Sequence, residues 1–390
     1  MQLRSNTRPF ALFFALLLGL TLVACDSGGG GSSDDGGDLS VEDARQRVAE
    51  TDNDLAAGTQ EFTDGEFAVR MQELFGLGGS TSAAKQTTQS PLGFVLIDGL
   101  SAVLQTSNGR LDFAASAGVY DWDAGQQAWA DGGASDDIVL NFPISYNAPS
   151  NNATFTLAEY TDVAALVDGQ SGYLPQRIDA SLTVGGTDIF AVDLSDTAFY
   201  DGDLNGTQVP RSFLLDVLTA PLAHTFMLDS PSKQNFNFSF EAVRDFGSGS
   251  RLLSLVVELS LAEDFDAATS AQAVETVEGE LGLGANVTLD YSVDVAGAAA
   301  LGPNPTVAEI NNQFSATLRY QSSAIGNIEL DQEMGPVLVY SDGSKDPLAQ
   351  VFGDTFGSAS QAPVPVGTVT QTVRSAIQSA ANAVVTIFRP

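Results

Sequence analysis

Val287-Thr288-Leu289-Asp290-Tyr291-Ser292-Val293-Asp294-Val295 alternates apolar and polar side chains without a break. Successive side chains of a β-strand point to opposite faces, so this stretch has one greasy face and one wet face. Such alternation belongs to an antiparallel sheet covered on one side only. The pattern recurs on both sides of it. Ile178, Ala180, Leu182 and Val184 form one run, and Phe236, Phe238 and Phe240 a second. Leu253 to Leu261 alternates as a third, and Phe314, Ala316, Leu318 and Tyr320 as a fourth. Gly185-Gly186 falls between two alternating runs and predicts a two-residue hairpin turn. Asp123-Ala124-Gly125 separates Tyr120 and Trp122 from Trp129 in the same way.

Before residue 111 the period is helical. Ser40-Val41-Glu42-Asp43 is a capping-box pattern, and it predicts a helix to about Ala57. A second helix is expected over Glu66–Phe75. Ser90-Pro91 offers an N-cap and a first-turn proline for a third over Leu92–Leu104, with Phe94, Ile97, Leu100, Val103 and Leu104 on its buried face. Asn304-Pro305 and Asp346-Pro347 predict short helices. Val373, Ala376, Ile377, Ala380, Val384 and Ile387 predict a closing helix that packs on the sheet. The fold expected is therefore mainly β, a β-rich α+β architecture. A large curved antiparallel sheet or half-barrel has its one apolar face covered by a few helices. Residues 39–110 form an N-terminal helical segment, 111–345 the sheet-rich body, and 346–390 a C-terminal helical cover.

Arg4 and Arg8 precede an apolar run from Phe10 to Val23, too short to span a bilayer comfortably, which takes about 20 residues. A basic start, a short apolar middle and small residues at the end describe an export signal, expected over 1–24. Cys25 is the only cysteine, so no disulfide can form within one chain. Residues 25–38 are rich in Gly, Ser and Asp and predict a flexible linker.

The chain carries 49 acids against 16 Lys and Arg, a net charge of −33 over 390 residues. Such a surface repels nucleic-acid phosphates and anionic headgroups. His224 is the only histidine. Zinc sites of His and Cys and haem sites with such ligands are excluded. There is no G-x-S-x-G elbow, no phosphate-binding loop, and no G-x-G-x-x-G opening a helix after a strand. His224 sits in an apparent strand and reads as a structural residue.

Asp201-Gly202-Asp203-Leu204-Asn205-Gly206 matches the first half of a calcium loop, with Asp201, Asp203 and Asn205 as candidate ligands. The twelfth position is Ser212 rather than a bidentate Glu, and the bland alternative is an acidic hairpin loop. Tyr120, Trp122 and Trp129 would suit a ligand- or partner-binding platform, or else cross-strand pairs in a core. Paired carboxylates could serve a glycoside hydrolase, but with 49 acids the pairing discriminates nothing.

Leu22-Val23-Ala24-Cys25 resembles the lipobox of bacterial lipoproteins, which implies acylation of Cys25 and a membrane anchor through its lipid chains. Asp26 resembles an inner-membrane retention signal of enteric bacteria. The acidic run behind it resembles a surface-export signal, so both leaflets stay open. Gly118-Val119-Tyr120-Asp121-Trp122, Trp129 and Asp137 to Pro143 resemble a G-x-Y-x-W hairpin followed by a D-x-x-x-x-F-P strand. Exported lipoproteins of Bacteroidota and neighbouring phyla carry that pair. The resemblance implies an envelope location and no particular activity. The architecture is also loosely similar to periplasmic lipoprotein carriers, whose curved sheet holds an apolar concavity under helices. The leading expectation is a non-catalytic, membrane-anchored envelope lipoprotein that binds a lipid, an apolar ligand or a protein partner, with no cofactor. The alternatives are a surface adhesion protein with calcium-stabilised loops and a carboxylate-only hydrolase. An outer-membrane barrel is disfavoured by the wet strand faces and the helical C-terminus.

Overall fold

The computed structural model describes residues 39–75, 92–100, 103–107, 110–148, 150–167, 170–204, 207–244, 249–265, 274–302 and 305–352. β1 (Thr106–Ser107) and β2 (Arg110–Leu111) form a small ribbon. The other strands form one 16-stranded sheet, curved and unclosed. It begins with β3 (Gly118–Asp123), β4 (Ala128–Gly133), β5 (Ile138–Phe142), β6 (Ala153–Val167) and β7 (Gln170–Val184). β8 (Thr187–Leu204), β9 (Thr207–Thr219), β10 (Leu222–Ser232), β11 (Asn235–Arg244) and β12 (Arg251–Leu261) make its middle. β13 (Val274–Leu283), β14 (Val287–Asp294), β15 (Phe314–Tyr320), β16 (Ser323–Asp331), β17 (Gly335–Tyr340) and β18 (Lys345–Pro347) complete it. From β5 to β18 each strand pairs antiparallel with the next, an unbroken meander. Only β3, lying parallel beside β5 with β4 outside it, departs from chain order. An open twisted sheet of this width curls, because strand twist accumulates across it.

Directly opposed residues in adjacent strands share a face, so the ladder registers define rows. One row reads Tyr160, Ile178, Leu194, Leu215, Phe226, Phe240, Leu255, Leu281, Leu289 and Leu318. All are apolar or aromatic, and this is the inner face. The neighbouring outward row reads Glu159, Asp179, Asp193, Asp216, Thr225 and Glu241. The period-two pattern of the sequence thus becomes one greasy and one acidic surface.

The helices α1 (Val41–Asp64) and α2 (Glu66–Phe75) cross the turn end of the sheet. Ser40 caps α1, its hydroxyl accepting from Asp43 N, and the helix runs on to Asp64, about two turns past the expected stop at Ala57. At about 1.5 Å per residue it is about 36 Å long, enough to bridge several strands. Arg45 anchors its start, with Nε 2.7 Å from Asp346 Oδ2 and the guanidinium over the Tyr340 ring. Arg244 at the end of β11 anchors its far half, bonding Asp54 and Glu61. Gly58 sits against Leu252, and Gly65 against the Ala220-Pro221 turn, where a Cβ would come within 2.7 Å of Ala220 O. The missing side chain at 65 is what lets the helix corner rest on that turn.

Several local expectations differ from the structure. α3 (Leu92–Leu100) buries Leu92, Gly93 and Leu96 and leaves Phe94 and Ile97 exposed. It is apolar nearly all round, so periodicity could not choose its face. Gly93 chose it by admitting the Phe75 ring. The short α4 (Phe113–Ser116), capped by Asp112, has no counterpart among the expected helices. β14 stops at Asp294, which caps α5 (Val295–Ala300) by accepting from Gly297 N, so Val295 is helical and not the end of the strand. α6 (Val307–Asn311) starts from a Thr306–Glu309 capping box rather than from Asn304-Pro305. α7 (Leu348–Val351) follows Asp346-Pro347 as expected, but its N-cap position is Pro347, which has no side-chain acceptor, and Asp346, one residue earlier in β18, is held by Arg45. The expected signal at 1–24, Cys25 and the expected linker at 25–38, Ser90-Pro91 and the expected helix beyond residue 372 lie outside the described residues.

Candidate functional site

Two hydrophobic cores lie on the inner face. The larger is built by α1, strands β9 to β17 and the short helices near residues 295–311 and 348–352. The smaller joins α2 and α3 to β3, β5 and the near parts of β6, β7 and β8. Between them the face continues without a break, but its residues join neither core. Ile178, Val192, Leu194, Leu215, Val217 and Phe226 are all half-buried. They occupy consecutive strands β7 to β10, in the Tyr160–Leu318 row and in the row beside it. That second row reads Leu157, Ala180, Val192, Val217, His224, Ala242 and Leu253. This strip is the candidate site: an apolar floor four strands, or three strand spacings, wide, about 14 Å, walled by a core on each side.

His224 is the polar group of the floor. Its Nε2 lies 2.8 Å from Thr219 Oγ1. Its ring stacks on Phe240 at 6.1 Å and 12°. Burial alone pushes its pKa below the ordinary histidine value, so it stands neutral among apolar neighbours. With a threonine as partner and no charge shifting it, it has the surroundings of a structural residue.

The strip leads along β6 from Tyr160 to Asp162, on the same side by alternation. The Asp162 side chain is 1% exposed, and Arg110 Nε from the small ribbon reaches its Oδ1 at 2.7 Å. The guanidinium also covers the Tyr173 ring, 5.3 Å from its centroid. Tyr160's phenol pKa is raised, first by burial and then by the Asp162 carboxylate. Beyond them a cleft of ≈ 450 Å³ opens, walled by Ala164, Leu166, Tyr173 and Gln208. Leu166 and Tyr173 are exposed there.

The residues marked in the sequence fall elsewhere. Trp122 is buried in the smaller core, paired edge-to-face with Trp129 at 5.4 Å. Trp129 Nε1 donates to Leu96 O of α3, and Tyr120 Oη to Ser116 O. The three rings pack between the end of the sheet and α3. Asp201 is exposed near the end of β8, Asp203 follows it in the same strand, and Asn205 lies outside the described residues. Among the described residues no three His, Cys, Asp or Glu side chains come together as a metal-binding group, and no helix is long and apolar enough to cross a membrane. Cys25 also lies outside the described residues.

Sequence reasoning did not single out Val192, Leu194, Leu215, Val217 and Phe226. Their alternation with Asp193, Asp216 and Thr225 was the available signal. It marks a face but not whether that face is filled. No known protein family, no curated protein and no solved structure matches the chain.

Proposed function

We propose that the chain is a non-catalytic envelope lipoprotein, anchored through an acylated Cys25, that binds a lipid or similarly apolar molecule along the strip from β7 to β10. The observation that carries this reading is the half-buried floor of Ile178, Val192, Leu194, Leu215, Val217 and Phe226 between two filled cores. A folded chain that needed only stability would bring the two cores together, since each buried methylene is worth about 0.8 kcal/mol. A floor walled on two sides, with a single neutral His-Thr pair, has the character of an apolar binding site. The envelope location is supported by the likeness of Leu22–Cys25 to a lipobox and by the basic, then apolar, segment before it.

Native mass spectrometry of the Cys25→Ala chain tests the binding. Copurifying lipid, lost on Leu215→Asp or Phe226→Asp while the far-ultraviolet β signal is kept, supports the reading. A protein that carries no lipid and shows no saturable binding of N-phenylnaphthylamine overturns it. Labelled palmitate tests the anchor separately: incorporation into the wild type and not into Cys25→Ala is expected.

A further inference from the structure

We propose that the molecule held on the β7–β10 strip is a fatty chain ending in one oxyanion, a carboxylate or a phosphate monoester, and that Arg110 binds this head. The proposal names the ligand class of the strip, so it rests on the ligand-binding reading above.

Arg110 is held in place without making its hydrogen bonds. Its Nε stands 2.7 Å from Asp162 Oδ1, and its guanidinium lies over the Tyr173 ring, 5.3 Å from the centroid. Neither buried Asp162 oxygen accepts a hydrogen bond, and no other acceptor among the described residues meets Arg110. Arg45, Arg70, Arg244 and Arg319 differ, each donating to at least one carboxylate. A guanidinium presents its N–H donors as a planar fork that fits a carboxylate or a phosphate bidentately. On Arg110 the Nε edge faces Asp162 and an aromatic ring lies under the carbon, which leaves both terminal nitrogens for an oxyanion. The side chain is 51% exposed, so a head group can reach it. Stability alone does not account for the arrangement, because a well-packed apolar pair serves a fold as well as or better than a buried ion pair.

The position suits a head group. Tyr160 of β6 opposes Ile178 at the edge of the strip, and Asp162 follows on the same side about 7 Å further along. Ala164 and Tyr173 oppose each other one step beyond. From Tyr160 to Phe226 the apolar row crosses four strand spacings, about 19 Å. A chain laid on Phe226, Leu215, Leu194 and Ile178 therefore ends beside Arg110. The cleft of ≈ 450 Å³ next to Tyr173 gives its head room. The acids of the outward row, Asp179, Asp193 and Asp216, lie across the sheet, and salt screens their repulsion over about 8 Å. A cationic head would have to displace Arg110 from Asp162, and a neutral one would not use the charge of the fork.

The test uses the full chain with Cys25→Ala, loaded with N-phenylnaphthylamine. Dodecanoate, dodecyl phosphate, dodecan-1-ol and dodecyltrimethylammonium are added below their micellar range. Dodecanoate or dodecyl phosphate should displace the dye at concentrations at least tenfold lower than the alcohol, and whichever acts at the lower concentration tells a fatty acid from a phosphate monoester. In Arg110→Gln/Asp162→Leu, which removes both charges and strands neither, that advantage should fall to twofold or less. Arg110→Lys keeps the pair with Asp162 and loses the fork, and should cut the advantage at least threefold. Equal displacement by anion and alcohol in the parent chain overturns the head site and leaves the strip as the ligand site. So does an advantage that survives both substitutions, or a cation that displaces better than either anion. A parent chain that binds no dye and none of the four probes overturns the strip reading itself, and the head site with it.

Discussion

Gly279→Ala should be one of the costliest single-methyl additions to this protein. Gly279 lies in β13 directly opposite Tyr291 of β14. The Tyr291 ring crosses the glycine, and its hydroxyl donates to Val256 O in β12 at 2.8 Å. A Cβ on residue 279 would stand 2.8 Å from the Val256 carbonyl carbon, nearer still to its oxygen, and 3.0 Å from Tyr291 Oη. Carbon atoms in contact prefer about 3.5–4.0 Å. The obstacle is backbone, so no side chain can swing away. The strands must part at this point, and the tyrosine must leave its acceptor. Overpacking of this kind costs about 1–3 kcal/mol, and a lost hydrogen bond about 1 kcal/mol. The expected destabilisation is about 3 kcal/mol, a large part of the 5–15 kcal/mol that holds a typical domain. In melting temperature it should read as a fall of about 6–12 °C, at about 2–4 °C per kcal/mol. Urea unfolding followed by far-ultraviolet circular dichroism measures it, provided the slope is unchanged between variants. Tyr291→Phe alone should cost about 1 kcal/mol. The two together should cost less than their sum, because both remove the same bond. A Gly279→Ala protein within about 0.5 kcal/mol of wild type, the range of ordinary surface changes, would refute the steric reasoning, as would full additivity.

The outward row predicts an electrostatic gain. Asp193 faces Asp179 on one side and Asp216 on the other. Asp193→Lys should stabilise by about 0.5–1 kcal/mol at low salt, and the gain should shrink at high ionic strength as the charges are screened. Arg110→Ala strands the buried Asp162 carboxylate. Since Arg110 is half-exposed and its 2.7 Å contact does not complete a hydrogen bond to either buried Asp162 oxygen, about 2 kcal/mol is expected rather than the full 3–5 kcal/mol of a buried pair. Adding Asp162→Leu should restore most of it, and a double variant as weak as Arg110→Ala would count against the burial argument. His224 has a lowered pKa in the folded protein, so the unfolded chain takes up its proton first. Its contribution is present above the unfolded histidine value and lost as pH falls below it. The stability difference between wild type and His224→Phe should therefore move against wild type between about pH 7.5 and pH 5.5, the window around an ordinary histidine; a pH-independent difference would mean the ring is not effectively buried.

Much of the fold is legible in local patterns of the chain. Ser40 announces the start of α1 and becomes its cap. Gly185-Gly186 announces a hairpin, and both take positive φ, 60° and 85°, which a two-residue turn of this hand requires. Where local chemistry conflicts with longer-range contacts, the pattern misleads. Asp346 has the composition of a helix cap, yet a guanidinium some 300 residues away holds it. Phe94 and Ile97 look like a core face, yet Gly93 turns α3 to put Phe75 there instead.

Alternation, turn glycines and caps act between residues a few positions apart, so the amino-acid order alone determined strands, hairpins, a greasy side and an acidic side. The candidate site arises differently. Ile178, Leu194, Leu215 and Phe226 have the same pattern as the filled core residues Leu281, Leu289 and Leu318. What separates them is where α1, α2 and α3 come to rest, and that depends on Arg45, Gly65, Arg244 and Gly93 meeting partners far along the chain. Which part of a uniform apolar face stays uncovered is a property of packing, and it exists only once the chain has folded.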